Sequence, residues 1–156
     1  MIFIGCDPGL EGAFAALTPD GWNLRVMPTA PAGKKRVLDE QQIVQWLMQF
    51  PANQSRVFIE SVAARPGQGV VAMFSFGAGW GLVRGICAGL GLSYELVRPQ
   101  EWQGEMLKGQ PKGSEYLVAS RLWPNADWCA SGRFQKPHSG LVDAAFIAEY
   151  GRRRTA

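Results

Sequence analysis

Residues 2–27 read IFIGCDPGLEGAFAALTPDGWNLRVM, and this stretch decides which folds are open to the chain. Ile2 to Asp7 is a short apolar run that halts at Asp-Pro-Gly, as a strand does when it enters a turn. Small and apolar residues resume from Gly12 to Leu17, and Pro19-Asp20-Gly21 is a second turn signal. Trp22 to Met27 alternates as a third strand. Three strands joined this closely predict an antiparallel meander.

Downstream, Pro28 to Arg36 holds two prolines and Gly33, which predicts a loop carrying Lys34, Lys35 and Arg36. Asp39 is a cap for a helix whose Ile43, Val44, Leu47 and Met48 share one face, and Pro51 ends it. Arg56 to Glu60 is a compact β-branched and aromatic run, a buried strand ending on an acid. A long helix is expected from about Val70 to Leu90, then a strand over Ser93–Val97 and a short helical segment from Pro99 through Trp102. Ser114 to Leu122 and Ser139 to Tyr150 complete the helices, with Arg152–Arg154 expected as a frayed basic tail over 152–156. Strands first, then alternating helices and strands, predict an α/β fold: one domain over 1–156 with a five-stranded mixed sheet flanked by helices.

Hydrophobic residues make up 47% of the chain, which is enough for a real core and argues against global disorder. The net charge of +3 is compatible with a polyanionic partner without identifying one. Cys6, Cys87 and Cys129 are far apart and odd in number, so a reduced, cytoplasmic setting is expected, without a disulfide framework. The opening MIFIGCDPG has no basic leader, and no secretory signal is expected from it. Gly69 to Leu92 has the length of a membrane span. Arg84 within it would cost about 2.5–3.5 kcal/mol on insertion scales, so a buried helix of a protein with no membrane role is expected instead.

Which acids can converge is the chemical question. Asp7 ends the first strand and Glu60 the fourth; if these are parallel neighbours, both emerge at one sheet edge, where ligands gather in such folds. Asp143 lies in the first turns of the last helix, within reach of that edge. Singly, each has an ordinary explanation: a turn, a solvated strand end, a complement to the helix dipole. Together they form a set that repels itself unless a hard cation neutralises it. Mg²⁺, with Mn²⁺ as substitute, fits oxygen ligands, and two such ions would support phosphodiester hydrolysis.

The motifs also resemble a known family. Ile4-Gly5-Cys6-Asp7-Pro8-Gly9 resembles the opening motif of RuvC-type Holliday junction resolvases, and Val57-Phe58-Ile59-Glu60 their second acidic motif. Pro66-Gly67-Gln68-Gly69-Val70, continuing through Phe74-Ser75-Phe76-Gly77 to Gly81 and Gly85, looks like the phage-type (bacteriophage) branch. His138-Ser139-Gly140 with Asp143-Ala144, running on through Ile147-Ala148-Glu149-Tyr150-Gly151-Arg152-Arg153, resembles the carboxy-terminal motif. The resemblance spans almost the whole chain. It implies a ribonuclease H-like fold and a dimeric, metal-dependent endodeoxyribonuclease that nicks four-way or branched DNA, with Asp7, Glu60 and Asp143 as catalytic and metal-binding acids and two ions per site. Relatives take a fourth ligand, an acid or histidine, from just upstream of the last Asp. Here Ser139 stands four residues before Asp143 and Gly140 three before, leaving His138 or Ser139 as candidates.

Basic residues outside the apolar segments are the candidate DNA contacts. Lys34, Lys35 and Arg36 form one group; Lys108, Lys112, Arg133 and Lys136 form a second, placed to follow phosphates toward the acids. Lys112 precedes a helix amino end, which itself favours phosphate. The residues just after Glu60 include no aromatic that could wedge into a junction; Phe74 or Phe76 is the alternative wedge, although a Phe on an apolar helix is expected in the core. Gly77, Gly81, Gly85 and Gly89 recur every fourth residue, which implies close approach by another backbone, from this subunit or from its copy in a homodimer. Two rival readings share these features: another ribonuclease H-like nuclease, and a branched-DNA-binding protein with weak or absent cleavage. A fragment of a sugar-kinase-like ATPase is disfavoured, because that fold needs two lobes.

Overall fold

A computed structural model describes residues 1–61, 63, 67, 69–129 and 136–155. Strands β1 (Ile2–Asp7), β2 (Ala13–Thr18) and β3 (Gly21–Val26) form the expected meander. β6 (Ser55–Glu60) pairs parallel to β1, and β7 (Ser93–Val97) pairs parallel to β6, giving the mixed order β3-β2-β1-β6-β7. The sheet is flanked by helices: α1 (Glu40–Leu47), α2 (Val70–Gly89), α3 (Pro99–Met106), α4 (Glu115–Leu122) and α5 (Ser139–Thr155).

Alternation along the strands builds two cores. Ile4, Cys6, Phe14, Ala16, Val57 and Ile59 face α1 and α2, where they meet Ile43, Leu47, Val83 and Cys87. The intervening Ala13, Ala15 and Phe58 face the other way, onto Trp102, Val118 and the apolar face of α5. Asp39 caps α1 as expected, accepting from the Gln42 amide at 3.0 Å. The three cysteines are free, with Cys6 and Cys87 buried.

Four expectations need correction. Residues 28–36 do not form a loop, because β4 (Thr29–Ala32) and β5 (Lys35–Leu38) pair as a hairpin. Gly33, with φ +63°, supplies the turn, and Pro31 is tolerated because this two-stranded sheet has only free outer edges. α3 runs past Trp102 to Met106, whose side chain joins the core. The basic tail is not frayed, since α5 continues through Thr155. Glu149 there receives bonds from Arg152 at 2.7 Å and Arg153 at 2.9 Å. Burial pushes the Glu149 carboxyl up, but the two guanidinium groups outweigh it and its pKa is lowered.

The fourth correction concerns α2, which forms but is not buried. It packs against α1 and β7, and its buried side chains are Val83 and Cys87. Phe74 is 77% exposed and Val70 83%. By length and composition alone α2 could cross a membrane, with a mean hydropathy of 1.5. Among the described residues, a methyl group built at Gly77, Gly81, Gly85 or Gly89 meets nothing within 4 Å, so none of their backbone fills the glycine row. Hydrophobicity alone predicts core here, yet among the described residues most of α2 is uncovered.

Candidate active site

Asp7 and Glu60 stand at the carboxyl ends of adjacent parallel strands. Cys6 pairs with Ile59, so the two acids are the next residues on each strand, about 4.8 Å apart in backbone spacing. Side chains two residues apart share a face, and that face is set by Gly5 and Phe58. A methyl group at Gly5 would lie 1.9 Å from the Ala144 carbonyl oxygen, and one at Gly151 would lie 2.3 Å from the Phe58 ring. Both strands therefore turn this face onto α5, the helix that carries Asp143. Gly5 lets β1 and α5 approach this closely, and Asp143 precedes the Ala144 that touches it.

The electrostatics record the convergence. Burial, then the charges of Asp7, Glu60 and Glu115, push the Asp143 carboxyl up to about 7. Burial also raises Asp7, opposed by the Gly9 amide and by His138. The Gly9 N–H donates to Asp7 Oδ1 at 3.5 Å. Glu60 accepts from the Trp102 indole N–H at 2.9 Å. Hard oxygen donors that repel one another suit a divalent cation such as Mg²⁺. They do not form a closed cage: among the described residues, no group of three or more His, Cys, Asp or Glu side chains is already arranged to hold a metal ion.

The start of α5 explains why no side chain stands at position 140. A methyl group at Gly140 would sit 2.7 Å from the Glu11 carbonyl oxygen and 2.8 Å from the Gly12 carbonyl carbon, so the 11–12 turn excludes a side chain there. Ser139 is exposed and lines a cleft of about 920 Å³ together with Asp7. His138 donates its backbone N–H to the Trp128 carbonyl at 2.8 Å. Its ring Nδ1 is buried without a hydrogen-bond partner among the described residues.

That cleft runs from Asp7 between the β4–β5 hairpin and the amino-terminal half of α2. Arg36, Leu38, Phe74 and Phe76 line it. Arg36 pairs with Glu11 beside the Asp7 turn, which ties the hairpin to the site. Lys34 and Lys35 are exposed on the same hairpin; Lys108 and Lys112 are exposed around the α3–α4 turn, and Lys136 just ahead of α5. Arg133, Pro66 and Gln68 lie outside the described residues. Two residues near the acids escaped the sequence reading. Glu115 had a visible signal, an acid at the start of a helix, whereas Trp102 had none beyond its hydrophobicity.

Comparison with known proteins gives the fold a context. No protein-family model matches the chain, and no curated relative does. Among solved structures, Thermus thermophilus RuvC is similar at TM-score 0.61 and 15% identity, covering 99% of this chain and 97% of that one. T. thermophilus RuvC in complex with Holliday junction substrate is similar at TM-score 0.63 and 13% identity, covering 99% and 96%. The yeast mitochondrial Holliday junction resolvase is similar at TM-score 0.56 and 13% identity, covering 96% of this chain and 77% of its own. At these identities the likeness establishes the architecture.

Proposed function

We propose that the chain is a Holliday junction resolvase of the phage-type RuvC-like branch, a metal-dependent endonuclease for branched DNA. The observation that carries this reading is geometric: Asp7 and Glu60 follow the Cys6–Ile59 pair at the carboxyl ends of adjacent parallel strands, and Gly5 of the same strand packs against Ala144, the neighbour of Asp143 on α5. The fold shared with two RuvC structures and a mitochondrial resolvase supports it.

Asp7, Glu60 and Asp143 would hold two Mg²⁺ ions, or Mn²⁺ in their place, with His138 or Ser139 completing the set. When bound, the ions supply Lewis-acid activation of water and stabilisation of the leaving 3′ oxygen. The protein's own residues place the substrate. Arg36, Lys34 and Lys35 take phosphates on the hairpin side of the cleft; Lys108 and Lys112 at the α3–α4 turn and Lys136 just ahead of α5 take others, and Arg133 is a further candidate from the sequence. Phe74 and Phe76 present aromatic surface along the cleft for an unstacked base, which the segment just after Glu60 lacks. The exposed face of α2 and its open glycine row fit a second copy of the chain, which gives two sites for symmetrical strands.

The uncaged acids and the side-chain-free position at Gly140 favour a second reading, a branched-DNA-binding protein with weak or absent cleavage. One experiment separates the two: labelled four-way junction, duplex and RNA–DNA hybrid, each incubated with Mg²⁺, Mn²⁺ or chelator. Metal-dependent symmetrical nicks in the junction alone are expected. Preferential cutting of the hybrid would move the protein to another ribonuclease H-like activity, and junction binding without nicks would establish the second reading.

A further inference from the structure

We infer that Trp102 is a positioning residue for Glu60 and couples that carboxylate to the helix bearing Asp143. This inference rests on the metal-dependent reading above. Trp102 is 1% exposed, and its indole N–H donates to Glu60 Oε1 at 2.9 Å. The other side of the contact is fixed too, because the indole lies nearly parallel to the Phe146 ring, at 6.0 Å between centroids and 15° between planes. Phe146 is three residues beyond Asp143, one turn along α5. Trp102 thus links an acid on the sheet to an acid on a helix through one rigid ring system.

The chemistry of the indole suits this task. It donates and never accepts, so it can hold a carboxylate oxygen without competing for a cation. It is neutral, so it leaves the negative charge of the site for the metal. A hydrogen bond to an ionised acceptor is stronger than one between neutral partners, and the packed ring has no rotamer freedom to lose. Glu carries three side-chain torsions; fixing one oxygen sets the plane of the carboxylate before an ion arrives. α3 therefore belongs to the active site, although it contributes no charge there.

Trp102→Phe retains an aromatic ring against Phe146 and deletes the donor. The test compares Mn²⁺ binding isotherms of wild type, Trp102→Phe, Glu60→Gln and the double variant, beside Mg²⁺ titrations of junction cleavage. Removing an outer partner of a metal ligand costs about ten-fold or more in metal affinity or activity, so the Trp102→Phe midpoint is expected about ten-fold higher. In the Glu60→Gln background the same change should add nothing. Isotherms of wild type and Trp102→Phe that coincide, or losses that simply add, overturn the inference while leaving the metal-dependent reading intact. A wild type that binds no divalent ion overturns both. Should Trp102→Phe fail to fold, the indole N–H resonance of Trp102 in the wild type decides. It should shift on Mg²⁺ addition and in Glu60→Gln; a stationary resonance refutes the coupling.

Discussion

Gly5→Ala is the sharpest perturbation of this architecture, because one methyl group would enter the contact that brings Asp143 to Asp7. Built at Gly5, that methyl group lies 1.9 Å from the Ala144 carbonyl oxygen and 2.6 Å from the Ala148 nitrogen. Ordinary contact begins at 3.4 Å, so α5 must withdraw by about 1.5 Å (3.4 − 1.9) or β1 must bend away. Neither neighbour is a flexible side-chain end; both are helix backbone. Overpacking of this kind costs about 1–3 kcal/mol, and two backbone contacts place it toward the upper end. Replacing glycine returns only about 0.4–1 kcal/mol through the unfolded chain. A net loss near 2 kcal/mol lowers Tm by about 4–8 °C for a chain of this size. The functional effect should exceed the structural one, since a 1 Å misplacement at a reacting centre can cost about 100-fold in rate. Thermal unfolding and junction cleavage at saturating Mg²⁺ measure the two effects, with gel-shift affinity as the control that should hold. Wild-type Tm together with wild-type cleavage would refute the close-approach account of how the acids meet.

Four further outcomes are expected. Asp7→Asn should abolish cleavage and leave junction binding intact in gel shifts; retained nicking removes Asp7 from the metal set. Ser139→Asp, which adds an acid beside Asp7 in the cleft, should raise activity at low Mg²⁺, and an unchanged metal titration would count against that placement. Gly81→Leu meets open space within the subunit, so Tm of the monomer should hold while the mass in solution falls from dimer to monomer by light scattering. A variant that stays dimeric would move the interface away from α2. The apoprotein should lose stability as pH rises from about 4 to about 7, because native Asp143 keeps a proton, with its pKa raised from 3.8 to about 7, where the unfolded chain has released it. Three pKa units set a ceiling of about 4 kcal/mol; that stability is full below pH 4 and gone above pH 7, and Asp143→Asn should flatten the dependence in urea titrations. An equally steep profile in that variant would assign the effect to another group.

What the sequence displayed and what it concealed follow from the range of the interactions involved. Alternation is local, so Ile4 and Cys6, or Val57 and Ile59, announced their strands and their shared face. The acids were legible for the same reason: Asp7 and Glu60 each close a strand whose pattern is plain, and parallel pairing then sets them side by side. Tertiary partners have no such local mark. The apolar run of α2 reads as core because hydrophobicity does not say whether its cover comes from the same chain, and here the described residues leave most of it uncovered. The hairpin over Thr29–Leu38 was hidden by two prolines that ordinarily break strands but are harmless where no neighbour needs their N–H. Gly5 looked like one small residue in an apolar strand, and Gly140 like a gap in a ligand pattern. Both are places where another backbone comes within reach of a missing Cβ: α5 at Gly5 and the 11–12 turn at Gly140. The geometry of the candidate site thus depends on residues that lack side chains as much as on those that carry charge. A carboxylate can be moved by a rotamer, but the distance between β1 and α5 is set by the absence of an atom.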